Sequence, residues 1–119
     1  MSDGFDATDP QAWPDETVVL RGGIGDAWDL ARKIDTDGGG WSVQAHPASE
    51  VVALARFVPN NRIRRTTLGR VREVGGYLVN ATGPGYHRSL RGLSPIMFDR
   101  ILGEPELNPV SPSERWPNR

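Results

Sequence analysis

Residues 77–92 read YLVNATGPGYHRSLRG, two short runs of aromatic and aliphatic residues on either side of a Gly-Pro-Gly turn. This pattern predicts a β-hairpin. A hairpin commits its strands to antiparallel pairing, so a chain that otherwise alternates strands and helices is not a purely parallel, doubly wound sheet. Downstream, Ser94 and Pro95 fill the N-cap and first-turn positions of a helix over 95–102 that Gly103 ends. Upstream, Thr67 caps a helix that turns Leu68, Val71 and Val74 inward and stops at Gly75-Gly76.

The same reading continues toward the N-terminus. RIRRT (62–66) predicts a strand with so few apolar residues that it belongs near a sheet edge. Pro47 and Ser49 open a helix whose buried side is Val51, Val52, Leu54, Ala55 and Val58, and Pro59 stops it. WSVQA (41–45) alternates as a strand does, after the loop DTDGGG. Asp26 caps a helix over 26–35, with Ala27, Leu30, Ala31 and Ile34 at helical spacing, and TVVLRGG holds a buried strand at 17–21. The order β-α-β-α-β-α-β-β-α predicts an α+β domain: a small mixed or antiparallel sheet, three or four short helices, and a C-terminal hairpin followed by a helix.

The flanks have a different composition. Residues 1–16 hold five acids and no base, with two isolated aromatics, Phe5 and Trp13, and read as a flexible acidic leader. Residues 104–119 hold four prolines and read as an extended tail, which leaves 17–103 as a single domain. A tryptophan in such a flank commonly docks in a groove, its own or a partner's. The chain has no cysteine, which excludes disulfides, thiolate nucleophiles and cysteine-ligated zinc. No secretory signal and no apolar run of membrane-spanning length is read, so the expected setting is the cytoplasm, or export by a dedicated secretion system, with no membrane partner.

The formal net charge of −1 hides a strong segregation. Between residues 62 and 91 lie seven arginines, Arg62, Arg64, Arg65, Arg70, Arg72, Arg88 and Arg91, against one acid, Glu73. Arginine favours planar, bidentate contacts with phosphate or carboxylate. His87 stands beside two of these arginines, and an imidazole bordered by guanidinium groups suits a general base better than a general acid. Metal-independent RNA cleavage uses such parts, a base, an acid and cations on the phosphate. The catalytic candidates are His87, with Arg64 or Arg88 as clamp, Thr66 as supporting donor alongside Tyr86 and Ser89, and His46 as second proton group. Arg62, Arg65, Arg70, Arg72 and Arg91 are the nucleic-acid-binding candidates. No metal ligand set and no cofactor is expected; Asp35 and Asp37, before three glycines, offer too few oxygens for a calcium loop.

In size, layout and residue inventory, residues 45–102 resemble the small ribonuclease domains of bacterial polymorphic toxins. That resemblance implies cleavage of RNA, or of another anionic partner, and a cognate immunity or antitoxin protein. A second reading is a non-catalytic module that binds nucleic acid or an acidic protein. A third starts from LRGGIGD (20–26), where a strand runs through glycines into a capped helix and backbone N–H groups converge as they do around phosphates. Arg21-Gly22, with Ser42 in GWSVQA, resembles the first two motifs of ADP-ribosyltransferases. There the arginine holds a nicotinamide dinucleotide, so NAD is the implied substrate. The catalytic glutamate which that family carries on a late strand has no counterpart here, because Glu104 and Glu106 fall in the tail.

Overall fold

The computed structural model describes residues 8–33 and 40–116. Six strands form one sheet in the order β4-β5-β2-β1-β3-β6: β1 (Val18–Gly22), β2 (Trp41–Ala45), β3 (Arg62–Thr67), β4 (Tyr77–Asn80), β5 (His87–Arg91) and β6 (Glu106–Leu107). Every pairing is antiparallel. The helices are α1 (Ala27–Arg32), α2 (Val51–Ala55), α3 (Leu68–Glu73) and α4 (Pro95–Ile101). The fold class is therefore α+β with an antiparallel sheet, and β4 and β5 are the hairpin that residues 77–92 predict. None of these helices is long and apolar enough to cross a membrane.

Three of the helix starts read from the sequence make their cap bonds, whereas the helix expected to open at Pro47 and Ser49 begins at Val51 after Glu50, which makes no side-chain cap bond. Asp26 accepts from the backbone N–H groups of Trp28 and Asp29, Thr67 from Arg70, and Ser94 from Met97. Beyond Lys33 the predicted first helix lies outside the described residues, as do Asp35 and Asp37.

Strand alternation sends side chains to two cores. On one face, Val19, Trp41, Val43, Ala45, Leu78 and Leu90 pack with Leu30 of α1, Leu68 and Val71 of α3, and Phe98 and Ile101 of α4. Trp41 anchors this side, its ring 4.9 Å from that of Phe98 and its Nε1 donating to the Leu30 carbonyl at 2.8 Å. On the other face a smaller cluster joins Leu20 and Ile63 to Leu54, Ala55 and Val58 around α2.

The described parts of both flanks, residues 8–16 and 104–116, belong to the body, which corrects the reading of these stretches as leader and tail. Trp13 is 2% exposed within the larger core, and Asp15 pairs with Arg72 at 2.7 Å. Gln11 donates to the Leu78 carbonyl and Asn80 to that of Thr8, so this segment covers the free edge of β4. At the other edge, β6 pairs with β3. The Asn108 amide then donates to the carbonyls of Ala55, Val58 and Asn60, and Arg115 to the Pro59 carbonyl and to Asn61 Oδ1. A flank poor in apolar residues docks here because each polar group it buries finds a partner.

Arg64 is spent inside the protein rather than on a phosphate. It is 8% exposed, pairs with Asp99 at 2.7 Å, and donates to the carbonyls of Gly25, Asp99, Leu102 and Gly103. Arg65, in contrast, meets Glu106 at 3.0 Å in a pair that solvent reaches from both sides. Arg64→Ala should therefore cost about 3 kcal/mol or more in chemical denaturation, because it strands a carboxylate and several carbonyls. Arg65→Ala should cost less than about 1 kcal/mol.

Candidate functional site

The smaller core does not extend across β2 and β5, and the side chains on that part of the face are polar. Directly paired residues share a face, so Gln44 with His87, and Ser42 with Ser89, project to the side that α2 covers beneath Leu20. Two residues further along β5 comes Arg91, whose Nε donates to Ser89 Oγ at 3.2 Å. Gly40 leaves room for this group, since a Cβ there would stand 2.3 Å from Ser89 Oγ.

His87 opens β5, and both of its nitrogens are engaged. Nδ1 lies 2.6 Å from the Thr82 carbonyl, and Nε2 is bonded to Ser42 Oγ. A carbonyl only accepts, so Nδ1 carries the proton and the Nε2 lone pair receives the Ser42 hydroxyl. The turn that links β4 and β5 holds this tautomer. Gly83 sits at φ 143° where a Cβ would lie 2.7 Å from Nδ1, and a Cβ on Gly85 would clash with the Phe57 ring at Cγ and both Cδ atoms. The two glycines of the Gly-Pro-Gly turn thus bring backbone against the imidazole and against the cleft wall.

Arg21 enters from β1. The β1–β2 ladder holds only Val19↔Ala45 and Leu20↔Gln44, although β1 pairs with β3 as far as Gly22↔Ile63. Past the end of that ladder, Arg21 Nη1 donates to the Ser42 carbonyl at 2.8 Å. Burial lowers the pKa of this guanidinium from its ordinary value, and it remains cationic.

Arg21, Gly22, Ser42 and Gln44 form the floor of a cleft of about 250 Å³ walled by Phe57, Val58, Pro59 and Asn60. A second recess of about 190 Å³ shares Arg21, Gly22, Lys33 and Asn60 and reaches the Gly23-Ile24-Gly25 turn. Gly22 is needed at the junction, since a Cβ there would meet Asn60 Oδ1 at 2.3 Å. Lys33, Gln44, Phe57 and Asn60 were not among the residues singled out in the sequence. No local sequence pattern points to that wall, because Gly22 meets Val58 and Asn60 only in the folded chain. Gln44 supports the site, its Oε1 accepting from the Tyr86 N–H at 2.8 Å.

The structure thus gathers Arg21, Gly22, Ser42 and His87, with Ser89 and Arg91 on the same strip, and disperses the other candidates. Arg88 projects to the opposite face, where it lies 5.0 Å over the Trp13 ring and donates to the Ala45 carbonyl and Asn80 Oδ1. Thr66 is buried with its hydroxyl unpartnered. Arg72 pairs with Asp15, Arg65 with Glu106, and Arg62 and Arg70 lie exposed on β3 and α3. The guanidinium groups do not converge, because the sheet alternates their directions and internal carbonyls claim the best buried of them. His46 packs between Trp13 and Tyr86, with ring distances of 5.9 and 4.8 Å, and its Nδ1 accepts from the Ala48 N–H. It is not a second proton group beside His87. Among the described residues no cluster of three or more His, Asp or Glu side chains is placed to hold a metal ion. Compared with family models, curated proteins and solved structures, the chain matches none.

Desolvation, and secondarily the charge of Arg88, lower the His46 pKa below its ordinary 6.5. The unfolded chain then takes up a proton that the folded chain refuses, so His46 contributes stability above pH 6.5 that is lost as pH falls through the lowered folded value. The thermal midpoint should drop on acidification below that point, and His46→Gln should flatten that part of the profile. An equally steep profile in the variant would assign the acid sensitivity to other groups.

Proposed function

We propose that the chain takes a nicotinamide dinucleotide as substrate in this cleft and cleaves its glycosidic bond, passing the ADP-ribosyl group to an acceptor hydroxyl or to water. The observation that carries this reading is the hydrogen-bonded set Arg21, Ser42 and His87 on β1, β2 and β5 beside the Gly22 turn. Arg21-Gly22 at the end of one strand and Ser42 on the next match the two motifs that resemble ADP-ribosyltransferases. His87 on the late strand departs from them, being an imidazole where that family has a glutamate. The two adjoining recesses with Arg21 between them suit an elongated ligand with a pyrophosphate at its middle.

The chemistry agrees with a site that owns one base. When the bond between ribose C1′ and the pyridinium nitrogen breaks, the electron pair returns to nicotinamide, which leaves neutral and needs no general acid. The acceptor oxygen bonds to C1′, and its proton passes to His87 Nε2. Arg21 offsets the phosphate charge, and its desolvation strengthens that attraction. RNA cleavage, in contrast, calls for two proton groups and a cationic track. The second imidazole is packed elsewhere, and the arginines of 62–91 point apart.

The test is release of nicotinamide from NAD by the purified chain, followed by chromatography. Arg21→Ala should raise KM and His87→Asn should lower kcat, by about a hundredfold in the second case. Intact NAD beside fragmented RNA would replace this reading by the ribonuclease one. NAD turnover unaffected by Arg21→Ala would remove the cleft from the mechanism.

A further inference from the structure

We infer that Ser42 is a nucleophile that His87 activates for attack on a phosphoryl ester, an activity beyond the glycosidic chemistry proposed above. Ser42 is exposed at the cleft floor while its Oγ is bonded to His87 Nε2. The base is oriented in turn by the Thr82 carbonyl on Nδ1. Nucleophile, base and orienting acceptor follow one another in hydrogen-bonded sequence, the arrangement that makes a serine hydroxyl reactive. Nucleophile and base sit on strands, and the acceptor sits on the turn between β4 and β5. Ser42 lies within central strand β2, His87 opens β5 diagonally across from it, and Gly83 presses the turn backbone onto the ring.

The surrounding charge selects phosphoryl over acyl groups. Arg21 lies on the β1 side of Ser42, with Nη1 on its carbonyl oxygen, and Arg91 lies on the β5 side, held to Ser89, the direct partner of Ser42. Two guanidinium groups thus lie near Ser42, one on its carbonyl oxygen and one on the hydroxyl of its cross-strand partner, and cations so placed stabilise added charge on equatorial phosphoryl oxygens. In the step, Ser42 Oγ forms a bond to phosphorus, the bond to the leaving oxygen breaks, and the hydroxyl proton moves to His87 Nε2. The imidazolium then protonates the leaving alkoxide. Water attacks the phosphoserine with the same base, returning phosphate and the free serine.

Diisopropyl fluorophosphate, which reacts at P–F with loss of fluoride, probes the first half of this step on the intact chain. Mass spectrometry should find one equivalent of adduct, and peptide mapping should place it on Ser42. Ser42→Ala should abolish it, and His87→Gln should slow it about a hundredfold. If His87→Gln does not fold, His87→Asn is labelled instead and should be slowed comparably. No adduct on the folded chain, an adduct elsewhere, or a rate indifferent to substitution of His87 overturns the inference. An adduct whose formation NAD does not slow upholds the nucleophile and counts against the dinucleotide reading. NAD cleavage without any adduct overturns the nucleophile alone.

Discussion

A sheet has two faces to cover, and this chain covers them unequally. Three helices and Trp13 close one face over a continuous apolar layer, whereas the five-residue α2 shelters only the part of the other around Leu20 and Ile63. Beyond α2 that face turns polar, and β2 and β5 present Ser42, Gln44, His87, Ser89 and Arg91. Ser42 is exposed there, whereas the buried Gln44 and Ser89 are held in hydrogen bonds, since a buried polar group without a partner costs several kcal/mol. The cleft is therefore a property of the architecture, a region where strand side chains bond one another within reach of solvent.

The elements that local chemistry specifies were legible in the sequence. Asp26, Thr67 and Ser94 cap as read, and the Gly-Pro-Gly turn closes a hairpin, because each depends on residues only a few positions apart. The flanks were misread for the opposite reason. Trp13 and Val110 gain their burial from residues far along the chain, and composition alone scores their neighbourhoods as disordered. The site was half legible. His87 and the Arg21/Ser42 pair were singled out separately, but what joins them is that β2 lies between β1 and β5, a fact of strand order that no local pattern records.

The arginine cluster shows how sequence density misleads. Seven arginines in thirty residues suggest an electrostatic surface, yet a strand places successive guanidinium groups on opposite faces, and a small protein with many loops has many carbonyls to satisfy. Arg64 and Arg88 serve that internal need, just as Arg115 does in the C-terminal flank. One five-donor group replaces several backbone donors, which explains how loops 23–25 and 102–103 are tied together at a single point.

The same economy links stability to the cleft. Its wall, residues 57–60, leaves α2 through turn bonds from the Phe57 and Val58 N–H groups, and the carbonyls of Val58, Pro59 and Asn60 are taken by Asn108 and Arg115, while Trp116 N–H binds the Arg56 carbonyl at its root. Gly22 permits Asn60 to close onto β1, so the width of the cleft is set by the C-terminal flank on one side and by a missing Cβ on the other. A site built on strands but walled by a loop needs such bracing, because catalytic geometry tolerates little displacement. The final residues of the fold thus carry the job that a longer second-face helix does in larger α+β proteins: they hold the rim of the polar strip without covering it.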